Sequence, residues 1–143
     1  MIIIGSDHGG LELKNYIKQY LLDKGYQLQD IGAKNLDPLD DFSYYGKLVA
    51  TQVAKDTKNN KGIFLCGSGV GACIVCNRQK GCYAANCHSV EQVILSRQHN
   101  NLNILNLGGR FIDKDLAIKM VDAFLNTDFL GGKYQARLED IDK

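Results

Sequence analysis

The chain has 143 residues, with 17 basic and 16 acidic side chains and a formal net charge of +1. This balance excludes a broad basic field for nucleic acid, and a hydrophobic content of 45% is ordinary for a soluble globular protein. The first residues, Met-Ile-Ile-Ile-Gly-Ser-Asp, have no basic region and too short an apolar run for a signal peptide or a membrane span. We therefore expect a single cytoplasmic domain that buries its own core.

Apolar runs and helical periodicities alternate along the chain. Strands are predicted at residues 2–4, 26–31, 62–66, 82–87 and 103–107. Helices are predicted at residues 11–24, 44–57, 70–79, 88–99 and 113–126, and a last short helix follows Gly131-Gly132. Ser89 is the candidate N-cap of the fourth helix, and residues 33–41 form a polar loop.

Strands that alternate with helices predict a Rossmann-like, doubly wound α/β fold. We expect a five-stranded parallel sheet of order 2-1-3-4-5, with helices on both faces and a C-terminal helix. In this order the topology reverses between the first and third strands, and ligands bind at the carboxyl ends of the strands beside that point. Asp7-His8 and Cys66-Gly67 follow these two strands, so we expect them to meet in one crevice.

The segment from Gly62 to Gly71 predicts a strand, a glycine-rich turn and the start of a helix. Such a junction gathers backbone N–H groups that can hold an anion. A cysteine placed there, Cys66, is a candidate nucleophile or base, although a buried core cysteine at a strand end is the alternative. Its convergence with Asp7-His8 favours the site.

Five cysteines are an odd number in a chain without an export signal, so we expect reduced thiols. Cys73 and Cys76 have the spacing of a zinc pair, but they fall inside a predicted helix. Cys82 and Cys87 lie on or beside a short strand. Because a structural zinc site needs turns around its ligand pairs, we expect small buried residues and no metal.

A thiol, a carboxylate, an imidazole and a cradle of amides suit proton abstraction next to a carbonyl group. Ser68 adds a hydroxyl in the loop, although it could equally be a turn or cap residue. His99 follows a helix about 15 Å long and so lies at the opposite edge of the sheet from the crevice. It either serves the site of a neighbouring subunit or simply interacts with the helix dipole.

Five blocks of the sequence together resemble one enzyme family. They are Gly-Ser-Asp-His-Gly-Gly at 5–10, Cys-Gly-Ser-Gly-Val-Gly at 66–71, Ser-Arg-Gln-His-Asn at 96–100, Leu-Gly-Gly-Arg at 107–110, and Gly-Gly-Lys-Tyr-Gln-Ala-Arg at 131–137. Asn77 follows the second block. The chain is similar to the B-type ribose-5-phosphate isomerases, whose family also contains galactose-6-phosphate and allose-6-phosphate isomerases. The resemblance implies that residues 1–143 form a single sugar-phosphate isomerase domain.

The resemblance implies interconversion of ribose 5-phosphate and ribulose 5-phosphate through an enediolate. Cys66 would carry the proton between C2 and C1, and Ser68 would lie beside the oxygen that changes character. Asp7, together with His99 from a partner subunit, would help to open the sugar ring. The enediolate would be held by the backbone amides of Gly67, Ser68, Gly69, Val70 and Gly71. Some relatives use a glutamate one turn later, where this chain has Ala72.

The resemblance also implies how the substrate is held and what the enzyme assembles with. The phosphate would be bound by His8, Arg110, Lys133 and Arg137, and Asn100 would contact the sugar. The expected assembly is a homodimer or a dimer of dimers with sites shared between subunits. The family needs no metal and no organic cofactor, and its partners include neither nucleic acid nor membrane.

Three residues depart from the family pattern near the expected mouth of the pocket. Lys133 and Tyr83 stand where arginine is common, and Phe42 stands where a tyrosine is usual. They leave open an alternative substrate of six carbons, such as galactose 6-phosphate or allose 6-phosphate. His88, at the end of the fourth strand, is interpreted as a capping or surface histidine.

Two further classes of function are weighed against this one. A nucleotide-binding module could use the same fold. However, the glycine loop has neither the G-x-G-x-x-G pattern nor the Lys-Ser/Thr ending of a P-loop. A purely structural subunit of a hetero-oligomeric isomerase is also conceivable, but the presence of both Cys66 and His99 argues against it.

Overall fold

The computed structural model describes residues 1–143, in which five strands alternate with five helices and a sixth helix follows the fifth. The strands are β1 Ile2–Ser6, β2 Leu28–Asp30, β3 Lys61–Cys66, β4 Ala84–Asn86 and β5 Ile104–Gly108. The helices are α1 Leu11–Asp23, α2 Phe42–Ala54, α3 Val70–Asn77, α4 Val90–Asn100, α5 Lys114–Asn126 and α6 Lys133–Glu139. A short 3₁₀ turn, His8–Gly10, joins β1 to α1. None of the helices combines the length and the apolar character that crossing a membrane requires.

The predicted five-stranded parallel sheet is confirmed, but the predicted strand order is wrong. The order is β2-β1-β3-β5-β4, so the last two strands are exchanged relative to 2-1-3-4-5. All five residues of β5 are buried, whereas the three residues of β4 are only half-buried. The longer apolar strand therefore takes the interior position beside β3, and the short strand β4 takes the edge.

This exchange decides which side chains approach Cys66. In the register of β3 and β5, Cys66 lies opposite Gly108, and Gly109 N–H donates to the Cys66 carbonyl oxygen at 2.8 Å. Arg110 N–H likewise donates to the Gly67 carbonyl oxygen at 3.0 Å. The end of β5 therefore delivers Arg110 directly to the loop after Cys66, where the predicted order would have left β4 between them.

Alternation along the strands divides the core into two layers, and helices cover both faces as predicted. Ile63 and Leu65 point to the layer under α1, α4 and α5, whereas Phe64 and Cys66 point to the layer under α2 and α3. Cys66 therefore shares its face with the helix that begins just after it. This is the period-two pattern of a strand buried on both sides.

The ends of several elements differ from the predictions because local contacts decide them. α2 begins at Phe42 rather than Tyr44, since Asp41 caps it by accepting the Ser43 N–H at 2.9 Å. β2 and β4 are each shorter than predicted. The predicted N-cap of α4 is confirmed: Ser89 Oγ accepts the Gln92 N–H at 3.1 Å.

A buried ion pair anchors the loop that leads from β2 towards α2. Lys14 Nζ lies 2.7 Å from Asp30 Oδ2 and also donates to the Ala33 carbonyl oxygen at 3.1 Å. Burial opposes ionisation of Asp30, but the hydrogen bonds from Lys14 and Lys18 outweigh it and lower the pKa of the carboxyl group. The stabilisation is therefore present above the usual pKa of aspartate and is lost as the pH falls through the depressed pKa.

Lys14→Ala is expected to lower the free energy of unfolding by about 3–5 kcal/mol, because the Asp30 charge stays buried without its closest partner. Lys18 binds the same carboxylate, but its side chain is 34% exposed against 1% for Lys14. Lys18→Ala is therefore the matched control and should cost less than about 1 kcal/mol. Urea unfolding near neutral pH measures the free energy of unfolding of both variants. Equal losses of stability would contradict the view that Lys14 is the main partner of the buried Asp30 charge.

Candidate active site

Cys66 ends β3 with its thiol against the loop that follows. Its Sγ accepts the backbone N–H of Gly69 at 3.2 Å, a contact that a thiolate uses more strongly than a thiol. Gly69 has a φ of 82°, and a Cβ there would lie 2.2 Å from Asn86 Oδ1. Only glycine meets both conditions, so the loop sequence itself brings the N–H to the sulfur.

The other amides of this loop are unequally engaged. Val70 N–H donates to Ser68 Oγ at 3.2 Å, so the Ser68 hydroxyl lies over the first turn of α3. The N–H groups of Gly67, Ser68 and Gly71 make no hydrogen bond within the protein. Three donors at a helix N-terminus therefore remain to bind an anionic oxygen.

The loop forms one wall of a cleft of about 220 Å³ at the carboxyl edge of the sheet. Its lining residues are Asp7, His8, Gly9, Phe42, Cys66, Gly67, Ser68, Gly71 and Arg110. The strand ends predicted to meet, those of β1 and β3, do meet here, and β5 adds the guanidinium group. A larger cavity of about 510 Å³ lies between α1 and α5, but no cysteine or histidine lines it.

Phe42 closes one side of this cleft. A Cβ built on Gly71 would lie 2.7 Å from the Phe42 ring, so the ring packs directly on the start of α3. Gly71 is therefore required where the ring rests on the backbone. The cleft has an aromatic wall at this position and no hydroxyl group on that ring.

Asp7 is almost completely buried at the end of β1. Burial raises the pKa of its carboxyl group, although the hydrogen bond from Gly9 N–H at 2.9 Å opposes the rise. A carboxyl group with a raised pKa beside a thiol is suited to proton transfer with a sugar oxygen.

Asp40 is a site residue that the sequence analysis missed. Its Oδ1 lies 2.7 Å from His8 Nδ1 and also accepts the backbone N–H of His8 at 2.9 Å. The side-chain hydrogen bond from His8 to Asp40 raises the pKa of the imidazole. Asp40 lies in the irregular loop between β2 and α2, where no periodic pattern marks one acidic residue among its neighbours.

Six predicted site residues do not line this cleft. Gly69 and Val70 belong to the Cys66 loop, but their N–H groups are already bonded to Cys66 Sγ and Ser68 Oγ.

The other four predicted site residues lie away from the loop. His99 stacks on Tyr134, with ring centroids 4.6 Å apart and planes 12° from parallel. Lys133 Nζ and Arg137 Cζ lie 5.2 Å and 5.6 Å from the centroid of the same ring. Asn100 lines a shallow cavity of about 300 Å³ together with His99. We call His99, Lys133, Tyr134 and Arg137 the Tyr134 cluster.

The Tyr134 cluster is rich in positive charge that nothing in the chain neutralises. Neither Lys133 nor Arg137 takes part in any of the five ion pairs. The rim of the cleft on one side of the molecule and this cluster on the other thus each hold cationic groups. Both surfaces can bind an anionic ligand.

A family model described as Ribose/Galactose Isomerase matches residues 2–141 of the chain. The chain belongs to the ribose/galactose isomerase family. The resemblance found in the five sequence blocks is thereby confirmed.

Three relatives illustrate what this isomerase is similar to. The crystal structure of ribose-5-phosphate isomerase B from Mycoplasma genitalium with bound ribulose-5-phosphate is 41% identical, with a TM-score of 0.95 over 98% of this chain and 92% of that one. A Thermotoga maritima ribose 5-phosphate isomerase is 42% identical, with a TM-score of 0.93 over 99% and 96% of the two chains. A D-erythrulose-4-phosphate isomerase from Pectobacterium atrosepticum is 37% identical over 98% of this chain and 91% of its own length. The protein is therefore an enzyme of the aldose–ketose isomerase class.

The cysteines of this isomerase other than Cys66 contribute little chemistry. Burial raises the pKa of Cys76 to about 12 and the pKa values of Cys82 and Cys87 to about 11. Cys73, on α3, lies 3.6 Å from the Ala84 carbonyl oxygen. All five are free thiols, as predicted.

Clustered ligand-type side chains in this isomerase form a hydrogen-bond network. Asp7, His8 and Asp40 bring their polar atoms within 4.8 Å of one another. His8 and Asp40 are already paired with each other, and Asp7 Oδ1 accepts from Gly9 N–H. These hydrogen bonds orient acid and base groups at this end of the cleft.

The residues that depart from the family pattern do not gather at one pocket within a single copy. Phe42 lines the cleft, Lys133 belongs to the Tyr134 cluster, and Tyr83 lies just before β4, at the amino edge of the sheet. His88 is exposed, and its N–H donates to Gln92 Oε1 at 2.8 Å, which agrees with a surface position beside the start of α4.

Proposed function

We propose that this isomerase interconverts ribose 5-phosphate and ribulose 5-phosphate, with Cys66 as the base. The observation that carries the proposal is the convergence of the Cys66 thiol, three unpaired amides and the buried Asp7 in one cleft. Residues 1–143 would act as one domain, since the family match extends over nearly all of them.

The reaction moves one proton between carbons and a second between oxygens, and it balances within the substrate. The Cys66 thiolate takes the proton from C2, the electron pair of that C–H bond forms the C1–C2 double bond, and the π pair of the C1 carbonyl moves onto O1. The amides of Gly67, Ser68 and Gly71 stabilise the negative oxygen of this enediolate, and Ser68 Oγ relays the proton of the C2 hydroxyl to O1. The thiol then returns its proton to C1 as the C2 carbonyl forms, so C2 is oxidised while C1 is reduced and no external oxidant is needed.

We further propose that each site is completed by a second copy of the chain. His99 lies five residues before the start of β5, whereas Cys66 lies opposite the end of β5. Four steps of about 3.3 Å along the strand place roughly 13 Å between these edges of the sheet. With Asp7, His99 of the partner would open the sugar ring, and Asn100 of that copy would contact the open sugar.

Exposed apolar side chains flank both halves of this proposed site and support a homodimer. Val70 and Ile74 are exposed on α3 beside the Cys66 loop, and Leu95 is exposed one turn before His99 on α4. Bringing the two faces together would cover apolar surface and carry the Tyr134 cluster to the cleft.

The substrate is tested by a coupled assay of ketose formation. We expect the highest kcat/KM with ribose 5-phosphate when it is compared with allose 6-phosphate and galactose 6-phosphate. The names of two solved relatives at 41–42% identity, both ribose-5-phosphate isomerases, favour the five-carbon sugar. A higher kcat/KM with either six-carbon substrate would overturn the pentose assignment while leaving the isomerase chemistry in place.

Arg137→Ala is expected to raise KM for the sugar phosphate by about ten- to a hundred-fold, since a charge-assisted hydrogen bond contributes roughly 1.5–3 kcal/mol. Lys133→Ala should have a smaller effect, because its ammonium group is a flexible point charge without a planar fork. Lys133→Arg should strengthen inhibition by inorganic phosphate without changing the preferred sugar.

The roles of Lys133 and Arg137 are tested by two measurements on every variant. These are inhibition by inorganic phosphate and KM for each of the three sugar phosphates. Arg78→Ala serves as the control, because Arg78 is an exposed cation just after α3 and outside both the cleft and the Tyr134 cluster. If Lys133→Arg instead changes which sugar is preferred, then position 133 selects chain length and the proposed division of the pocket fails.

A further inference from the structure

The carboxylate of Asp40, behind the cleft, hydrogen-bonds a single residue, His8. Asp40 Oδ1 accepts from both the backbone and the ring of His8, at 2.9 and 2.7 Å. The Asp40 side chain is 7% exposed and does not line the cleft, whereas that of His8 is 29% exposed and does. Asp40 therefore reaches the cleft only through His8.

The pairing fixes which nitrogen of His8 remains for a ligand. Nδ1 is held by Asp40, so its proton lies on the side away from the cleft. Nε2 makes no hydrogen bond within the protein, and in the imidazolium form it carries the second N–H. The other oxygen of Asp40, Oδ2, is buried without a partner, and His8 is the only cation paired with this carboxylate.

Three other ionisable groups face His8 in the cleft. The carboxyl group of Asp7 favours the protonated form of His8, whereas the guanidinium group of Arg110 disfavours it. The thiol of Cys66 lines the same cleft. None of these three groups hydrogen-bonds the imidazole, whereas Asp40 does, so Asp40 has the largest influence on the pKa of the ring.

We infer that Asp40 is a positioning residue that orients His8 and holds it as an imidazolium, so that Nε2–H is offered to the phosphate of the substrate. The inference rests on the proposed function, since it takes the ligand of His8 to be a sugar phosphate. Phosphate binding at this end of the cleft is thereby assigned to the Asp40–His8 pair. The buried Asp40 carboxylate keeps the imidazole protonated, and the exposed His8 ring contacts the phosphate.

The direction of the pH effect follows from the hydrogen bond. The pKa of His8 is raised above the usual histidine value by Asp40, so the positive charge persists as the pH rises past that value. Asparagine at position 40 retains an oxygen acceptor but removes the negative charge. In Asp40→Asn the imidazolium is therefore lost at a lower pH than in the wild-type protein.

Titration of the imidazole signals by NMR tests the pair without any need for catalysis. The chain has only three histidines, and His8→Gln identifies the His8 signals by their loss. We expect His8 to titrate above the usual histidine range in the wild-type protein and to move down in Asp40→Asn. Asp40→Glu should restore part of the shift. The matched control is Asp37→Asn, which changes the same charge in the same loop at a residue whose side chain bonds only Leu39 N–H.

The effect on the substrate is measured as the ratio of KM in Asp40→Asn to KM in the wild type across pH, because titration of the phosphate itself cancels in this ratio. We expect a ratio of about ten near pH 8 that falls below about two near pH 5.5, with kcat little changed. Inorganic phosphate should show the same trend as an inhibitor. A ratio independent of pH would indicate a merely structural role and overturn the inference.

The outcomes also separate this inference from the proposed function. If Asp40→Asn does not fold, the wild-type titration decides, since a His8 that titrates in the ordinary range contradicts the pair. If His8 behaves as expected but the wild type converts none of the three sugar phosphates, the proposed function fails while the Asp40–His8 pair stands. If ribose 5-phosphate is converted and the His8 titration is unchanged in Asp40→Asn, only the inference fails.

Discussion

Cys66→Ala is expected to lower kcat by at least the roughly 10²–10⁴-fold that a general base contributes. The substitution removes the sulfur that accepts Gly69 N–H but leaves the buried strand β3 intact, because alanine is small and apolar. The assay is ketose formation from ribose 5-phosphate, together with exchange of the C2 hydrogen in deuterated water. Circular dichroism and oligomer mass should be unchanged.

Cys73→Ala is the matched control for this prediction. It deletes a second thiol on α3, outside the cleft, whose Sγ contacts only Ala84 O and Asn77. We expect activity close to that of the wild type. Exchange of the C2 hydrogen by Cys66→Ala at the wild-type rate would show that another group carries the proton.

Mixing Cys66→Ala with His99→Ala is expected to regenerate activity from two weakly active proteins. In a mixed dimer, one of the two sites would combine an intact Cys66 from one chain with an intact His99 from the other. Random exchange makes about half of the dimers mixed, so about a quarter of wild-type activity should return. Native mass spectrometry confirms the exchange, and the coupled assay measures the recovery.

The control for complementation pairs two variants from the same cleft. Cys66 and Asp7 line one cleft of one chain, so no site in a Cys66→Ala and Asp7→Asn mixture contains both intact groups. This mixture should stay inactive. Recovery there, or its absence with His99→Ala once exchange is shown, would contradict a site shared between subunits.

The parts of the fold that periodicity governs were predictable from the sequence. Alternation of apolar strands with amphipathic helices gave the parallel sheet, and Ser89 at the start of α4 follows from local capping. The order of β4 and β5 was not predictable in this way, because it depends on comparing their burial in the finished sheet. Ile104 to Gly108 is buried throughout, and Ala84 to Asn86 is not.

The candidate site likewise contains some residues that sequence patterns could place and others that they could not. Asp7 and Cys66 could be brought together by topology alone, since both lie at the carboxyl ends of strands beside the reversal of the sheet. Asp40 could not, because an irregular loop has no period and its position depends on contacts such as that between Lys14 and Ala33. Arg110 is adjacent to the Cys66 loop only through the observed strand order.

The pairing of β3 with β5 also determines when the site can form during synthesis of the chain. Cys66 lies opposite Gly108, but α3, β4 and α4 separate them along the chain, so their pairing is a non-local contact of the kind that forms slowly. The Cys66 loop rests closely on this strand, since a Cβ on Gly108 would lie 2.5 Å from the Ser68 carbonyl oxygen. During synthesis from the amino terminus, Cys66 therefore emerges long before the strand that shapes its loop. A nascent chain has no assembled cleft until β5 and Arg110 have left the ribosome.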